Sequence, residues 1–93
     1  MILLVYEPAV VRKLCLYVDR FNPPYAGLIR NLISHCVNYG ISLRSAPPSS
    51  DHLKDFDLSV SDSCDMAIVL GGDGTILRGL AYFRELNIPV LGV

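Results

Sequence analysis

Residues 66–75 read Met66-Ala67-Ile68-Val69-Leu70-Gly71-Gly72-Asp73-Gly74-Thr75, an unbroken apolar run that stops at a glycine-rich turn. A run of this length, bounded by Asp65 and Gly71, fits a strand buried on both faces of a parallel sheet. Beyond the turn, Ile76, Leu77, Leu80, Ala81 and Phe83 recur at helical spacing and predict a helix with that apolar stripe, leaving Arg78, Tyr82 and Glu85 outside it. A further strand is predicted over 88–93. Asn87 opens it, and Pro89 suits its first residues or an edge register.

Working upstream, a short apolar run at 14–18 reads as a strand ended by Asn22-Pro23-Pro24. From Tyr25 the apolar positions Leu28, Ile29, Leu32, Ile33, Cys36 and Val37 follow the spacing of a helix with one buried stripe, and Gly40 supplies a left-handed residue to end it. A second strand is expected at 41–43. Residues 44–65 carry Pro47-Pro48 and scattered Ser and Asp, and read as loop with one short helical piece near 51–56. Residues 1–6 have strand-like composition and are expected to add a strand. Strands alternating with helices predict a three-layer α/β fold, its mostly parallel sheet built from Rossmann-like βαβ units and incomplete at the carboxyl end. The expected order of the four main strands is two-one-three-four, which sets a switch point between 14–18 and 66–70.

The 93 residues, 10.2 kDa in all, suffice for one domain only. The composition is 52% hydrophobic with mean hydropathy +0.41, more apolar surface than so short a chain readily buries. A net charge of −1, from eight Lys/Arg against nine Asp/Glu, leaves no electrostatic footprint for nucleic acid or an anionic membrane. Cys15, Cys36 and Cys64 match neither a disulfide framework nor a paired metal-ligand spacing and read as reduced, mostly buried thiols. Glu7 and Pro8 interrupt the apolar start, so no signal peptide or membrane span is expected and the chain reads as cytoplasmic. His35 and His52 have no partner at catalytic or metal spacing and read as surface residues.

The chemistry concentrates in Gly71, Gly72, Asp73, Gly74 and Thr75, at the carboxyl end of a buried strand, where open α/β sheets bind ligands. The glycines allow positive φ and close approach of a ligand, and the amides at a helix start suit phosphate oxygens. Thr75 is expected to cap the helix or donate a hydroxyl hydrogen bond. Asp73 would repel phosphate, so its carboxylate must meet a hydroxyl, a metal ion or an amide. Beside a bound nucleotide it is placed to take a proton from an attacking sugar hydroxyl, which makes phosphoryl transfer the natural chemistry. The plainer alternative is a tight turn in which Asp73 caps the helix. Neither a P-loop nor a complete dinucleotide fingerprint is present. The loop at 19–24 shares the same sheet rim and is expected to line the site, with no residue singled out.

Asp65 through Arg78, followed by Asn87 through Val93, resembles the amino-terminal domain of NAD kinases, strongly over the last third of the chain and only in topology before it. The resemblance implies that Asp73 is the catalytic aspartate, activating the adenosine 2′-hydroxyl of NAD for attack on the γ-phosphate of ATP in the presence of Mg²⁺. It implies cofactor contacts at Gly71, Gly72, Asp73, Gly74 and Thr75, and at Arg78, a basic position the family places after this turn. No metal-ligating residue is predicted. Residues 1–93 would then be the amino-terminal α/β domain without the family's second acidic motif and carboxyl-terminal β domain. The expected partners are NAD and ATP, and either the missing domain or a second copy.

A general base is worth about 10²–10⁴ in rate, whereas enzymes supply about 8–23 kcal/mol of transition-state stabilisation. The isolated chain is therefore expected to have little or no kinase activity. Phosphofructokinases and lipid kinases carry related turns, although lipid kinases place an Asn-Glu pair where this chain has Ile76-Leu77-Arg78. A different class of reading is a non-catalytic nucleotide-binding or assembly module.

Overall fold

The computed structural model describes residues 11–20 and 22–93; the strand expected at 1–6 lies outside them. The elements in chain order are β1 (Lys13–Tyr17), α1 (Pro24–Asn38), β2 (Ser42–Ser45), β3 (Ser59–Val60), β4 (Met66–Val69), α2 (Asp73–Arg84) and β5 (Val90–Gly92), with single 3₁₀ turns at Pro47–Ser49 and Lys54–Phe56. All strand pairs are parallel and the order is β3-β2-β1-β4-β5. The four expected strands take the expected order. Ser59–Val60, read from sequence as loop, adds a two-residue edge strand beside β2.

The period of two along β1 sorts its side chains into two cores. Leu14, Leu16 and Val18 join Ile29, Cys36, Leu53, Ile68 and Leu70 under α1, whereas Cys15 and Tyr17 join Ala46, Ala67, Val69 and Phe83 under α2. This is the three-layer α/β arrangement. At the lower end of the sheet, Asp65 Oδ2 accepts the backbone N–H groups of Arg12 (2.8 Å) and Lys13 (3.0 Å), so β1 and β4 start level.

At the other end of β1, Ser49 is fully buried. Its Oγ accepts the Val18 N–H at 2.8 Å and donates to the Val18 carbonyl at 2.7 Å. One hydroxyl thus satisfies both main-chain polar groups of Val18, the residue just past the end of β1.

Helix α1 starts with Pro24 at its first position, where a missing N–H costs nothing, and ends on Gly40 at φ +69°. Ile41 N–H bonds the Cys36 carbonyl and Gly40 N–H the Val37 carbonyl, which makes the end a Schellman motif. Two members of its expected stripe, Leu28 and Val37, are exposed.

The buried face of α2 differs more from expectation. Thr75, Gly79 and Phe83 face the sheet, with Ile76 and Tyr82 packed beside them, whereas Leu77, Leu80 and Ala81 are exposed. The cause is Gly79. A Cβ there would stand 2.6 Å from Val69 Cγ2, so helix and strand approach more closely than any leucine would allow. Tyr82, expected in solvent, stacks edge-on against Phe83 with ring centroids 5.0 Å apart.

Candidate functional site

The strand order places β1 and β4 side by side while their following helices lead to opposite sides, and a ligand crevice is expected between the two strand-to-helix turns. A cleft of about 510 Å³ opens there. One wall is Gly71, Gly72, Gly74, Thr75 and Arg78; the other is Asp19, Arg20, Asn22 and Tyr25.

Of the three glycines in this wall, Gly71 alone takes a positive φ, +154°. A Cβ at that position would also lie 2.5 Å from Thr75 Cβ. Gly72 has φ −82° and ψ −172° and acts as the N-cap of α2, and a Cβ added there meets nothing within 4 Å. The open face of the turn is therefore free for something outside the chain to approach. The first intrahelical bond runs from Ile76 N–H to the Gly72 carbonyl, so the preceding amides have no acceptor within the helix. The positive end of the α2 dipole faces the cleft.

Asp73 is the first residue of α2 rather than part of the turn. It is exposed, makes no side-chain hydrogen bond or ion pair among the described residues, and is not among the cleft's lining residues. It does not cap the helix, because Gly72 occupies that position and no side chain caps it. Its carboxylate is exposed to solvent and open to a partner from outside.

Thr75 does not cap α2. Its Oγ1 donates to Asp19 Oδ1 at 2.6 Å. The other Asp19 oxygen accepts the Arg78 Nε–H in an ion pair across the cleft. Arg78 and then Thr75, both donating to Asp19, hold its carboxyl below the usual carboxylate range. The two walls are thus joined by a carboxylate flanked by a hydroxyl and a guanidinium. With Arg20, the cleft walls carry one carboxylate against two guanidinium groups, a balance that favours an anion.

Asp19, Arg20, Asn22 and Tyr25 escaped residue-level recognition. The available signal was topological, because parallel strands bring all their carboxyl ends to one rim. His35 and His52 are exposed, as expected. Cys15 and Cys36 are buried thiols whose pKa burial raises, Cys64 is partly buried, and all three are free. Among the described residues no group of three His, Cys, Asp or Glu side chains could hold a metal ion, and no helix is long and apolar enough to cross a membrane.

The model of the ATP-NAD kinase N-terminal domain matches residues 27–93. The chain belongs to this family. Among ATP-NAD kinase relatives, it is similar to NAD kinase 2 of Streptomyces avermitilis, 43% identical over 47 residues that make up 50% of this chain and 16% of that protein. It is 51% identical to the NAD kinase of Mycobacterium bovis over 39 residues, 42% of this chain and 13% of the relative. With NAD kinase 2 of Streptomyces coelicolor the identity is 56% over 32 residues, 34% of this chain and 11% of the relative. The chain thus matches about one-sixth or less of the length of these relatives. The family match takes in the glycine wall of the cleft and α2, while the wall from Asp19 to Tyr25 precedes it.

Proposed function

We propose that the chain is the nucleotide-facing α/β part of a cytoplasmic NAD kinase, which transfers the γ-phosphate of ATP to the 2′-hydroxyl of NAD to give NADP. The observation that carries this reading is the cleft at the switch point, walled on one side by the glycine turn and the start of α2 in a chain of this family. Phosphate oxygens would meet the α2 amides over the open face of Gly72, with Arg78 supplying charge beside Gly74. Thr75 contributes from beneath, through Asp19. Asp73 would accept the proton of the attacking 2′-hydroxyl, with the acceptor nucleotide reaching it at the mouth of the cleft rather than from within. Mg²⁺ would arrive on the triphosphate, since it commonly takes its ligands from phosphates, water and few carboxylates.

The cleft with Asp73 beside it would supply a base, a dipole and a cation, less than phosphoryl transfer requires. The chain is expected to bind ATP and to form NADP far below the usual rate of about 1–100 s⁻¹ for kinases. Calorimetric titration with ATP and NAD, and an NADP-specific dehydrogenase assay, test both statements. Binding of neither nucleotide removes the nucleotide reading, and turnover at an ordinary kinase rate removes the claim that more of the protein is needed. For Asp73, the chain is to replace the corresponding segment of the Mycobacterium bovis relative. In that chimera Asp73→Asn should lower NADP formation by about 10²–10⁴ while ATP affinity stays within about twofold, because the carboxylate acts in the chemistry and not in binding. An unchanged rate takes the role away from Asp73.

A further inference from the structure

Arg78 is not a cation waiting in solvent. Its side chain is 62% exposed, as expected for the polar face of a helix, yet its Nε is committed to Asp19. The terminal nitrogens are aimed elsewhere: Nη1 and Nη2 stand 3.3 and 3.6 Å from where a Cβ on Gly74 would be. The guanidinium is therefore held by one edge, with its terminal nitrogens beside Gly74 in the first turn of α2, the turn that carries the unbonded amides. A long arginine side chain has many rotamers, and a single carboxylate selects this one.

Asp19 is itself held. It is 23% exposed, and its second oxygen takes the hydroxyl of Thr75, a buried residue wedged beneath Gly71. The order of restraint runs from the packed interior outward, from Thr75 to Asp19 to Arg78. We propose that Asp19 is a positioning residue for the anion site, fixing the Arg78 fork over the glycine turn so that two N–H groups meet phosphate oxygens together with the helix amides. This rests on the phosphate-binding reading of the cleft above.

The rival account is electrostatic: a carboxylate beside a cation neutralises it and weakens anion binding. The two accounts differ in sign. Removing the negative charge should tighten anion binding if Asp19 only neutralises, and loosen it if Asp19 positions. Affinity for ATP and for inorganic tripolyphosphate, measured on the full chain by calorimetry, reads the difference. Asp19→Asn is expected to weaken both by about tenfold, despite the gain in net positive charge. Asp19→Glu keeps the charge but displaces the carboxylate by a methylene, and is expected to lose about as much. Arg78→Lys keeps the cation and loses the fork, again at a cost of about tenfold.

The decisive measurement is the double variant of Asp19→Asn and Arg78→Lys. If Asp19 acts through Arg78, the losses do not add and the pair binds no more weakly than the weaker single variant. Additive losses, or unchanged or tighter binding by either Asp19 variant, overturn the positioning role. Far-ultraviolet circular dichroism and the unfolding midpoint are read for each variant. Arg78 is largely exposed, so Arg78→Lys remains informative if an Asp19 variant fails to fold: unchanged affinity there also overturns the proposal. A wild-type chain that binds neither ATP nor tripolyphosphate removes the parent reading as well, whereas wild-type binding with additive losses removes this inference alone.

Discussion

The two turns that face each other across the cleft are built on opposite plans. The turn between β4 and α2 has hardly any side chains and is shaped by backbone: Gly71 at positive φ, its hydrogen-bearing face pressed on Thr75, and Gly72 leading into the helix. The turn between β1 and α1 is longer and is fixed by side chains. Ser49 clamps Val18 just ahead of it, Asp19 reaches across to Thr75 and Arg78, and Pro24 starts the following helix. A backbone-defined turn has one steric solution and announces itself in composition. A side-chain-defined turn depends on partners far away in the chain, and its meaning appears only when they meet.

Substitutions should separate the two plans. The largest effect is expected for Gly71→Ala, which combines a disfavoured φ with a Cβ placed 2.5 Å from Thr75 Cβ. A loss of about 2–5 kcal/mol should be read in urea unfolding, enough to unfold a marginal domain. If stability survives, the turn is not sterically determined. Ser49→Ala comes next. It leaves a buried N–H and carbonyl of Val18 without their partner, and about 2–3 kcal/mol should be lost on the side-chain-defined side. A midpoint within error of the wild type would mean that water replaces the hydroxyl.

A third, smaller effect is the pH dependence of the Asp19 pair. Its carboxyl titrates lower in the folded chain than in the unfolded one, first because of Arg78 and then Thr75. The folded state therefore binds that proton less readily, and the stabilisation is present above the unfolded value of about 4. It is lost as pH falls through the lower folded value. Asp19→Asn should flatten the acid limb of the stability profile in that range without removing it, because Asp65 is depressed too by the Arg12 and Lys13 amides. An unaltered limb would show that the pair contributes nothing in solution. The smallest change is expected for Gly72→Ser. Its backbone is ordinary, its Cβ has free space, and serine is a good N-cap, so stability should shift by less than about 1 kcal/mol. A loss as large as that of Gly71→Ala would erase the distinction between the two glycines.

The frame of the fold was readable because it rests on local patterns. The apolar run at 66–70, the Asn-Pro-Pro break and Gly40 each have one structural use, and the strand order followed from their alternation. The errors have physical causes as specific. Hydropathy placed Leu77 and Leu80 inward, since no count of apolar side chains detects that the inward position of α2 is a residue without one. Ser59–Val60 is too short and polar to signal a strand; it pairs because Arg44 and Ser45 lie alongside. At the cleft, the glycine wall was evident and the Asp19 wall was not. An aspartate at the end of a strand looks the same in sequence whether it faces water or holds an arginine 59 positions away. For the same reason the hydroxyl hydrogen bond expected of Thr75 gave no hint that its acceptor is Asp19.

The close seat of α2 on β4 has a consequence for the opening itself. Gly79 rests against Val69 with no slack, so the helix cannot tilt toward the sheet, and a larger residue there would prise its near end upward. The width of the gap between the rims is therefore governed a full helical turn below the mouth, at a residue that does not line the cleft. Changes at that spot would alter the width of the aperture without replacing any side chain that lines it.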